Sequence, residues 1–231
     1  MPSETWLTGI QAVFFDAVGT VLHPDPGALT VYATTAARFG LAHEPADILT
    51  RFRDAYRREE AVDRAVGWIT SEDRERERWR TIVATALPGS SDECFEFLYH
   101  HFGQPAAWRV PHDAAAVFDA LTTRGLRLGL GSNYDSRLET VLAGRRELDP
   151  LRERVVISSR VGVRKPDRGF FRAVIAAAGC EPEHILFVGD DIENDYAGAT
   201  AAGFRAVLLD PHDRYPDVPA RIASLRELIP G

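Results

Sequence analysis

Residues 10–20, with the sequence IQAVFFDAVGT, decide how the rest of the chain is interpreted. Apart from Gln11, the first six of these residues are apolar and rich in β-branched and aromatic side chains, which is typical of a buried parallel strand. Asp16 follows this strand, and Gly19 and Thr20 then supply a turn and a hydroxyl group. In an open α/β sheet, ligands bind beyond the carboxyl ends of the strands. Asp16 is therefore a candidate reacting group, and the alternative is an aspartate that only begins a turn.

Three later stretches repeat the pattern of a short apolar strand followed by polar residues. The strand at residues 126–131 is followed by Ser132 and Asn133, and the strand at residues 154–158 is followed by Lys165. The strand at residues 185–189 is followed by Asp190, Asp191 and Asp195. The carboxyl ends of parallel strands meet at one edge of a sheet. We therefore expect these polar side chains to lie near Asp16.

The order of helical and strand patterns predicts the fold class. Residues 23–108 contain no strand pattern and four helical segments, which begin near residues 26, 44, 71 and 92. Beyond residue 108, strands and helices alternate, which predicts right-handed crossovers and a parallel sheet with both faces covered. The sequence thus predicts an α/β fold with a Rossmann-like, doubly wound, five-stranded core from residues 1–22 and 109–231. Residues 23–108 would form a small all-helical domain, and a loop and a short helix would follow the fifth strand at residues 205–209.

Composition excludes several classes of protein. The 231-residue chain has a net charge of −7, which argues against nucleic acid or an anionic membrane as its main partner. It has no apolar run of about 20 residues and no signal-like leader. Its two cysteines provide neither a disulfide framework nor a four-thiolate metal site. We expect a cytoplasmic protein, either monomer or homodimer, that acts on a small molecule.

Lysine usage is the sharpest feature of the composition. Lys165 is the only lysine among 27 basic residues, so arginine stands at every other basic position. A compact ammonium can approach a carboxylate and a second anion together, which a planar guanidinium cannot do in the same space. This position therefore favours a functional lysine over a surface residue.

Two other features have structural interpretations. Residues 72–78, with the sequence EDRERER, alternate charges at helical spacing, which predicts a solvated helix face. Arg57, Arg58, Arg64 and Trp68 are candidates for contact with a substrate from the helical region, although each also suits an ordinary surface or core position.

The chain resembles the haloacid dehalogenase superfamily, which consists mostly of phosphatases. The resemblance rests on four motifs in order: residues 16–20 (DAVGT), residues 132–133 (SN), residues 165–166 (KP) and residues 189–195 (GDDIEND). Residues 108–110, 124–128 and 132–139 are similar to one branch of this family. The resemblance implies that residues 23–108 are a helical cap over the active site.

The resemblance also implies roles for the motif residues, among which the candidate catalytic residues are Asp16, Thr20, Ser132, Asn133 and Lys165. Asp16 would attack phosphorus to form an aspartyl-phosphate. Mg²⁺ would be held by Asp16, Asp190 and the main-chain carbonyl of Val18. Asp191 and Asp195 would orient water and Lys165 around this ion. Ser132 and the main-chain N–H of Asn133 would hold a phosphoryl oxygen.

Val18 departs from the pattern of most phosphatases in this family. They carry an aspartate there that protonates the leaving oxygen and later activates water, and valine can do neither. Loss of such a group typically lowers the rate by about 10²–10⁴.

Three functions stay open on the sequence alone. The first is a magnesium-dependent phosphatase acting on a small phosphorylated metabolite. The second is a ligand-binding or interaction protein that kept the fold and lost efficient turnover. The third is a 2-haloacid dehalogenase, which also lacks the second aspartate but carries a tyrosine where Phe171 stands and uncharged residues in place of Asp190 and Asp191. A phosphonate-cleaving enzyme with a cap lysine is excluded, because residues 23–108 contain no lysine.

Overall fold

A computed structural model describes residues 4–229, and for residues 4 and 5 the backbone alone. The strands in chain order are β1 (Ala12–Phe15), β2 (His23–Pro24), β3 (Trp108–Arg109), β4 (Arg127–Ser132), β5 (Val155–Ile157), β6 (Ile185–Gly189), β7 (Arg205–Leu209) and β8 (Arg221–Ile222). The α-helices are α1 (Glu4–Leu7), α2 (Ala28–Arg38), α3 (Pro45–Ala65), α4 (Glu72–Ala86), α5 (Asp92–His101), α6 (Ala114–Thr123), α7 (Arg137–Ala143), α8 (Ser158–Val161), α9 (Arg168–Ala178) and α10 (Gly198–Ala201).

Six strands form a parallel sheet in the order β5-β4-β1-β6-β7-β8. β1 lies at its centre, where the strand order reverses, which is the position at which doubly wound sheets bind ligands. The predicted α/β class is confirmed. The predicted number of five strands is wrong, because β8 adds a sixth at the edge beside β7. With two residues, β8 is too short to show an alternating pattern.

Side chains of β1 alternate between the two faces of the sheet, and each face has its own apolar core. Val13 and Phe15 pack with α6 and α7, whereas Ala12 and Phe14 pack with α9. A third apolar cluster has all its buried residues between positions 31 and 98, within α2–α5. The helical segment thus has a core of its own.

Two segments near the C-terminus differ from the predicted helices. A π-helix (Ile192–Ala197) followed by α10 stands between β6 and β7, where the alternation of strands and helices predicts one regular helix. A 3₁₀-helix (Leu225–Leu228) stands where a short last helix was predicted. The π-helix follows β6 directly and carries Asp195, and such irregular turns are frequent at functional sites.

β2 and β3 form an antiparallel ribbon that joins the helical segment to the sheet. His23 pairs with Arg109, and Pro24 pairs with Trp108. The ribbon lies where the sequence predicts the boundaries of the helical domain. Both chain crossings between the two parts are therefore adjacent.

The prediction of a solvated helix face over residues 72–78 is wrong for two of these residues. Glu75 and Arg78 are only 1% exposed. Arg78 Nε donates to Asp63 Oδ2 at 3.0 Å, and Arg164 pairs with Glu75. These partners come from α3 and from the loop before Lys165, so a pattern of charges within α4 could not reveal them.

No helix in the described part of the chain is both long and apolar enough to cross a membrane.

Candidate active site

Four charged side chains converge where β1, β5 and β6 end. Lys165 Nζ donates to Asp16 Oδ1 and Asp195 Oδ1, each at 2.6 Å, and to the carbonyl oxygen of Gly131 at 3.0 Å. Asp16, Asp190 and Asp195 each place a carboxylate oxygen within 4.8 Å of the others. The structure thus brings together the residues that the sequence expected at this edge.

Two glycines permit this close approach. Gly19 has φ of +96°, and a Cβ there would lie 2.4 Å from Asp190 Oδ2. A Cβ on Gly189 would lie 2.2 Å from Asp195 Oδ2. Any larger residue at either position would displace a carboxylate from the cluster.

Lys165 is fixed by its backbone as well as by its ammonium group. Its N–H donates to Asn133 Oδ1 at 2.7 Å, and its carbonyl oxygen accepts from Asn133 Nδ2 at 3.1 Å. The three hydrogen bonds of Nζ use all the donors of an ammonium group. Lys165 is 2% exposed. Its position is therefore set both by β4 and by the carboxylates.

The cluster carries more negative than positive charge. Burial, followed by the negative charge of Asp195, raises the pKa of Asp190 to about 6. Burial raises the pKa of Asp195 to about 7, although Lys165 opposes this rise. Burial likewise raises the pKa of Asp16, again against the effect of Lys165. A second cation would relieve these carboxylates.

The donor set fits Mg²⁺, which prefers carboxylate and carbonyl oxygens and retains several waters. Asp16 and Asp190 face one cavity. Among the described residues, none donates a hydrogen bond to the carbonyl oxygen of Val18. The three ligands expected from the sequence therefore have oxygen atoms free to contribute.

The remaining predicted site residues have different positions. Ser132 and Asn133 line the cavity beside Asp16. Thr20 is fully buried away from the cavity, and its hydroxyl donates to Asp190 Oδ1 at 3.2 Å. Thr20 thus orients a carboxylate.

Asp191 differs from the role expected for it beside Lys165. Its carboxylate accepts from the N–H groups of Glu193 and Asn194 at 2.9 and 2.8 Å, which is the capping role that aspartates commonly have. Only its main-chain N–H reaches the cluster, by donating to Asp195 Oδ2 at 3.0 Å. Of the two aspartates expected to orient Lys165, Asp195 alone contacts it.

A cavity of about 330 Å³ extends from the carboxylates into the helical segment. Nine aromatic side chains line it, so its walls are largely apolar away from the carboxylates. The four candidates Arg57, Arg58, Arg64 and Trp68 are not among the lining residues. Arg137 from α7 lines it instead, and it was missed because its position depends on contacts with Tyr99 and Asp135.

A family model for haloacid dehalogenase-like hydrolases matches residues 10–203. The chain belongs to the haloacid dehalogenase-like hydrolases. The resemblance seen in the four motifs is thereby confirmed, and the protein is a hydrolase of this family.

This hydrolase is similar to known proteins in sequence and in fold. Human haloacid dehalogenase-like hydrolase domain-containing protein 3 is 33% identical over 96% of this chain and 93% of its own length, which confirms the predicted branch. Phosphoglycolate phosphatase of Rhodospirillum rubrum is 32% identical over 86% of this chain and 79% of its own. The structure of L-2-haloacid dehalogenase from Xanthobacter autotrophicus superposes with a TM-score of 0.70 at 17% identity, covering 95% of this chain and 96% of that one. The last similarity shows a shared fold alone.

Proposed function

We propose that this hydrolase is a magnesium-dependent phosphatase that acts on a small phosphate monoester through an aspartyl-phosphate. The observation that carries this proposal is the position of Lys165, whose Nζ donates to Asp16 and Asp195 while three carboxylates meet beside a cavity. Two anions, a carboxylate and a phosphate, must approach each other in the reaction. A buried ammonium between them lowers their repulsion.

The proposed reaction has two steps. An oxygen of Asp16 attacks phosphorus, the bond from phosphorus to the ester oxygen breaks, and the leaving group departs with the electron pair. Water then attacks phosphorus, which releases inorganic phosphate and restores the carboxylate. Ser132 and the main-chain N–H of Asn133 would hold a phosphoryl oxygen through both steps, and the two residues lie beside Asp16 in the cavity.

Asp16, Asp190 and the carbonyl of Val18 would hold Mg²⁺. The ion, when bound, supplies positive charge that offsets the phosphate and the excess carboxylates. Asp195 would keep Lys165 directed at Asp16, because its carboxylate binds the same ammonium.

Excess carboxylate charge disfavours the dehalogenase alternative. The substrate of such an enzyme carries its own carboxylate, which Asp190 and Asp195 would repel. Phe171, at the position of the dehalogenase tyrosine, is fully buried among Phe170, Phe187 and Phe204. It is not among the residues that line the cavity.

The helical segment, residues 23–108, would act as a cap domain on a core of residues 1–22 and 109–231. Its separate apolar cluster and the adjacent crossings at β2 and β3 support this division. Closure of such a cap excludes water and completes the contacts with substrate. Limited proteolysis that cuts first near the ribbon would agree with the division, whereas cuts spread evenly through both parts would contradict it.

A screen of phosphate esters and an acyl phosphate, with and without Mg²⁺, tests the proposal. We expect magnesium-dependent release of phosphate from acetyl phosphate and p-nitrophenyl phosphate, because their leaving groups need no proton. Asp16→Asn should abolish this release and keep the circular dichroism of the native protein. Release of halide from 2-haloacids would instead favour the dehalogenase. No turnover of any substrate would favour the binding protein.

Calorimetric titration tests the metal site directly. Mg²⁺ binding should weaken sharply in Asp190→Asn, because that change removes a ligand charge. Asp217→Asn, which alters an exposed carboxylate in the loop before β8, is the matched control. Equal binding by both variants would mean that Asp190 is not a ligand.

A further inference from the structure

The cavity beyond the carboxylates suits an apolar leaving group. Among the nine aromatic residues that line it are Tyr32, Phe52, Tyr56, Trp79, Phe95 and Trp108. Pockets that bind small molecules are mostly apolar and contain a few polar groups that fix orientation. The chemistry of these walls therefore indicates which kind of leaving group the cavity can bind.

The charged side chain on the cavity wall does not favour a charged leaving group. Arg137 is the one charged residue that the described chain places on the wall away from the carboxylate cluster. Its Nε and Nη2 donate to the two oxygens of Asp135, each at 2.7 Å, and its Nη1 donates to the carbonyl oxygen of Tyr99 at 2.5 Å. Its positive charge is thus already neutralised, and a second carboxylate or phosphate on the substrate would find no free cation.

Few polar atoms are available for a polyhydroxylated group. In the described part of the chain, the hydroxyls of Tyr32 and Tyr56 and the indole N–H of Trp79 have no hydrogen-bond partner, and neither does Asn194 Oδ1. Tyr99 and Tyr134 direct their hydroxyls to Asp135 and to the carbonyl oxygen of Phe102. Four free polar atoms suit a few polar substituents on an apolar body, whereas a sugar would leave several of its hydroxyls unpaired.

The size of the cavity indicates more than one ring. An apolar protein cavity of about 150 Å³ is enough to hold benzene. This cavity has about 330 Å³, which must also hold the phosphoryl group at the carboxylate end. The remaining space fits a flat group larger than a single ring.

We infer that the substrate is a monophosphate ester of an apolar, ring-bearing alcohol or phenol, with its rings between the aromatic side chains of the helical segment. This inference rests on the proposed phosphatase function and specifies its substrate. Val18 favours the phenol ester of the two, because phenols leave as weakly basic anions and need no proton from the residue at that position.

Phenyl phosphate and 2-naphthyl phosphate test the inference, because the two leaving groups have similar acidity and differ in apolar area. We expect kcat/KM to be at least about tenfold higher for the naphthyl ester, since one methylene group alone can be worth that much in a hydrophobic pocket. Ala28 lines the cavity at the start of α2, and Ala28→Trp should fill this space and reduce the difference. Ala37→Trp, at an exposed position of the same helix, should preserve it.

Failure of this inference can be told apart from failure of the proposed function. Hydrolysis of acetyl phosphate with equal kcat/KM for the two aryl esters would overturn the inference alone. If neither acetyl phosphate nor either aryl ester is hydrolysed, the phosphatase function fails, and calorimetry with benzylphosphonate and 2-naphthylmethylphosphonate decides the inference on the unmodified protein. Tighter binding of the naphthyl compound would support the apolar site, and equal binding would overturn it.

Discussion

Two clusters of acidic and basic side chains meet at consecutive residues, Arg164 and Lys165, and they differ in charge balance. Around Lys165, three carboxylates meet at the edge of a cavity beside one ammonium, which binds two of them. Around Arg164, the three carboxylates of Glu59, Asp63 and Glu75 pair with three guanidinium groups, those of Arg74, Arg78 and Arg164. The balanced cluster holds the helical segment to the sheet, whereas the unbalanced one has negative charge left for a cation.

The comparison shows that burial of charge does not by itself indicate function. Asp63 and Asp195 are both nearly inaccessible, yet Asp63 has arginine partners on several sides and Asp195 competes for one lysine. Breaking a buried balanced cluster leaves an unpaired charge, which is costly. A buried cluster with excess charge is the kind that binds an ion or reacts.

Val18→Asp would sharpen the comparison most, because it adds a fourth carboxylate to the unbalanced cluster. Val18 lines the cavity and is 37% exposed. An aspartate there should raise kcat for an apolar alkyl ester, such as 2-phenylethyl phosphate, by a factor within about 10²–10⁴, because an alkoxide needs a proton to leave. Phosphate release measures this rate, and Val62→Asp on the exposed side of α3 is the control. Equal cleavage of alkyl and aryl esters by the unmodified protein would mean that another residue donates the proton.

Asp63→Asn should break the balanced cluster. Asp63 is fully buried and binds Arg74 at 2.6 Å and Arg78 at 3.0 Å. Loss of its charge leaves Arg78 without a neutralising partner, so the free energy of unfolding should fall by about 3–5 kcal/mol. Urea denaturation measures the loss, and Asp54→Asn, at an exposed position of the same helix, should change stability little. Similar stability of the two variants would show that the balanced cluster does not hold the helical segment.

Lys165→Arg replaces the ammonium group of the unbalanced cluster with a guanidinium group, which is the cation of the balanced cluster. The guanidinium is too large for the space between Asp16, Asp195 and the carbonyl of Gly131, where Nζ lies 2.6–3.0 Å from each oxygen. We expect kcat for aryl phosphates to fall by about 10²–10³, the loss typical of one misplaced electrostatic contact. Circular dichroism of the variant establishes whether it is folded, and Arg172→Lys on the exposed side of α9 is the control. Near-normal turnover would mean that the reaction does not need a lysine at this position.

Arg64→Ala should have the smallest effect, because it breaks an ion pair that water can replace. Arg64 pairs with Glu193, and their side chains are 59% and 50% exposed. Such pairs contribute about 0–1 kcal/mol. A double-mutant cycle with Glu193→Ala, measured by urea denaturation, gives the coupling energy. A coupling well above this range would mean that the pair holds the helical segment as firmly as the buried cluster does.

Local patterns in the sequence were enough to predict β6 and β7, whose bounds agree with the structure. They were also enough to bring Asp16, Lys165, Asp190 and Asp195 to one edge, because each of these residues follows a strand. The role of Asp191 was not predictable in the same way. A capping carboxylate and a carboxylate that orients Lys165 have the same position in sequence, and only the turn after Asp191 decides between them.

The features that sequence reasoning missed depend on contacts between distant residues. Glu75 and Arg78 are buried because α3 and Arg164 cover them, which no periodicity within α4 reveals. The aromatic cavity is assembled from α2, α3, α4, α5, β3 and the loop before α7, so its walls have no single motif. The cation candidates on α3 were chosen by type, whereas the structure uses Arg137, whose partner Asp135 lies two residues away in the chain.

The amide groups of Arg164 and Lys165 form hydrogen bonds in different directions. The N–H of Arg164 donates to the carbonyl oxygen of Trp68 at 2.9 Å, in the helical segment, whereas the N–H of Lys165 donates to Asn133 Oδ1 at 2.7 Å, beside the sheet. An opening of the helical segment that leaves the sheet intact would expose the first hydrogen to exchange with solvent and leave the second protected. Deuterium uptake at two neighbouring residues can thus separate motion of one half of the molecule from unfolding of the whole.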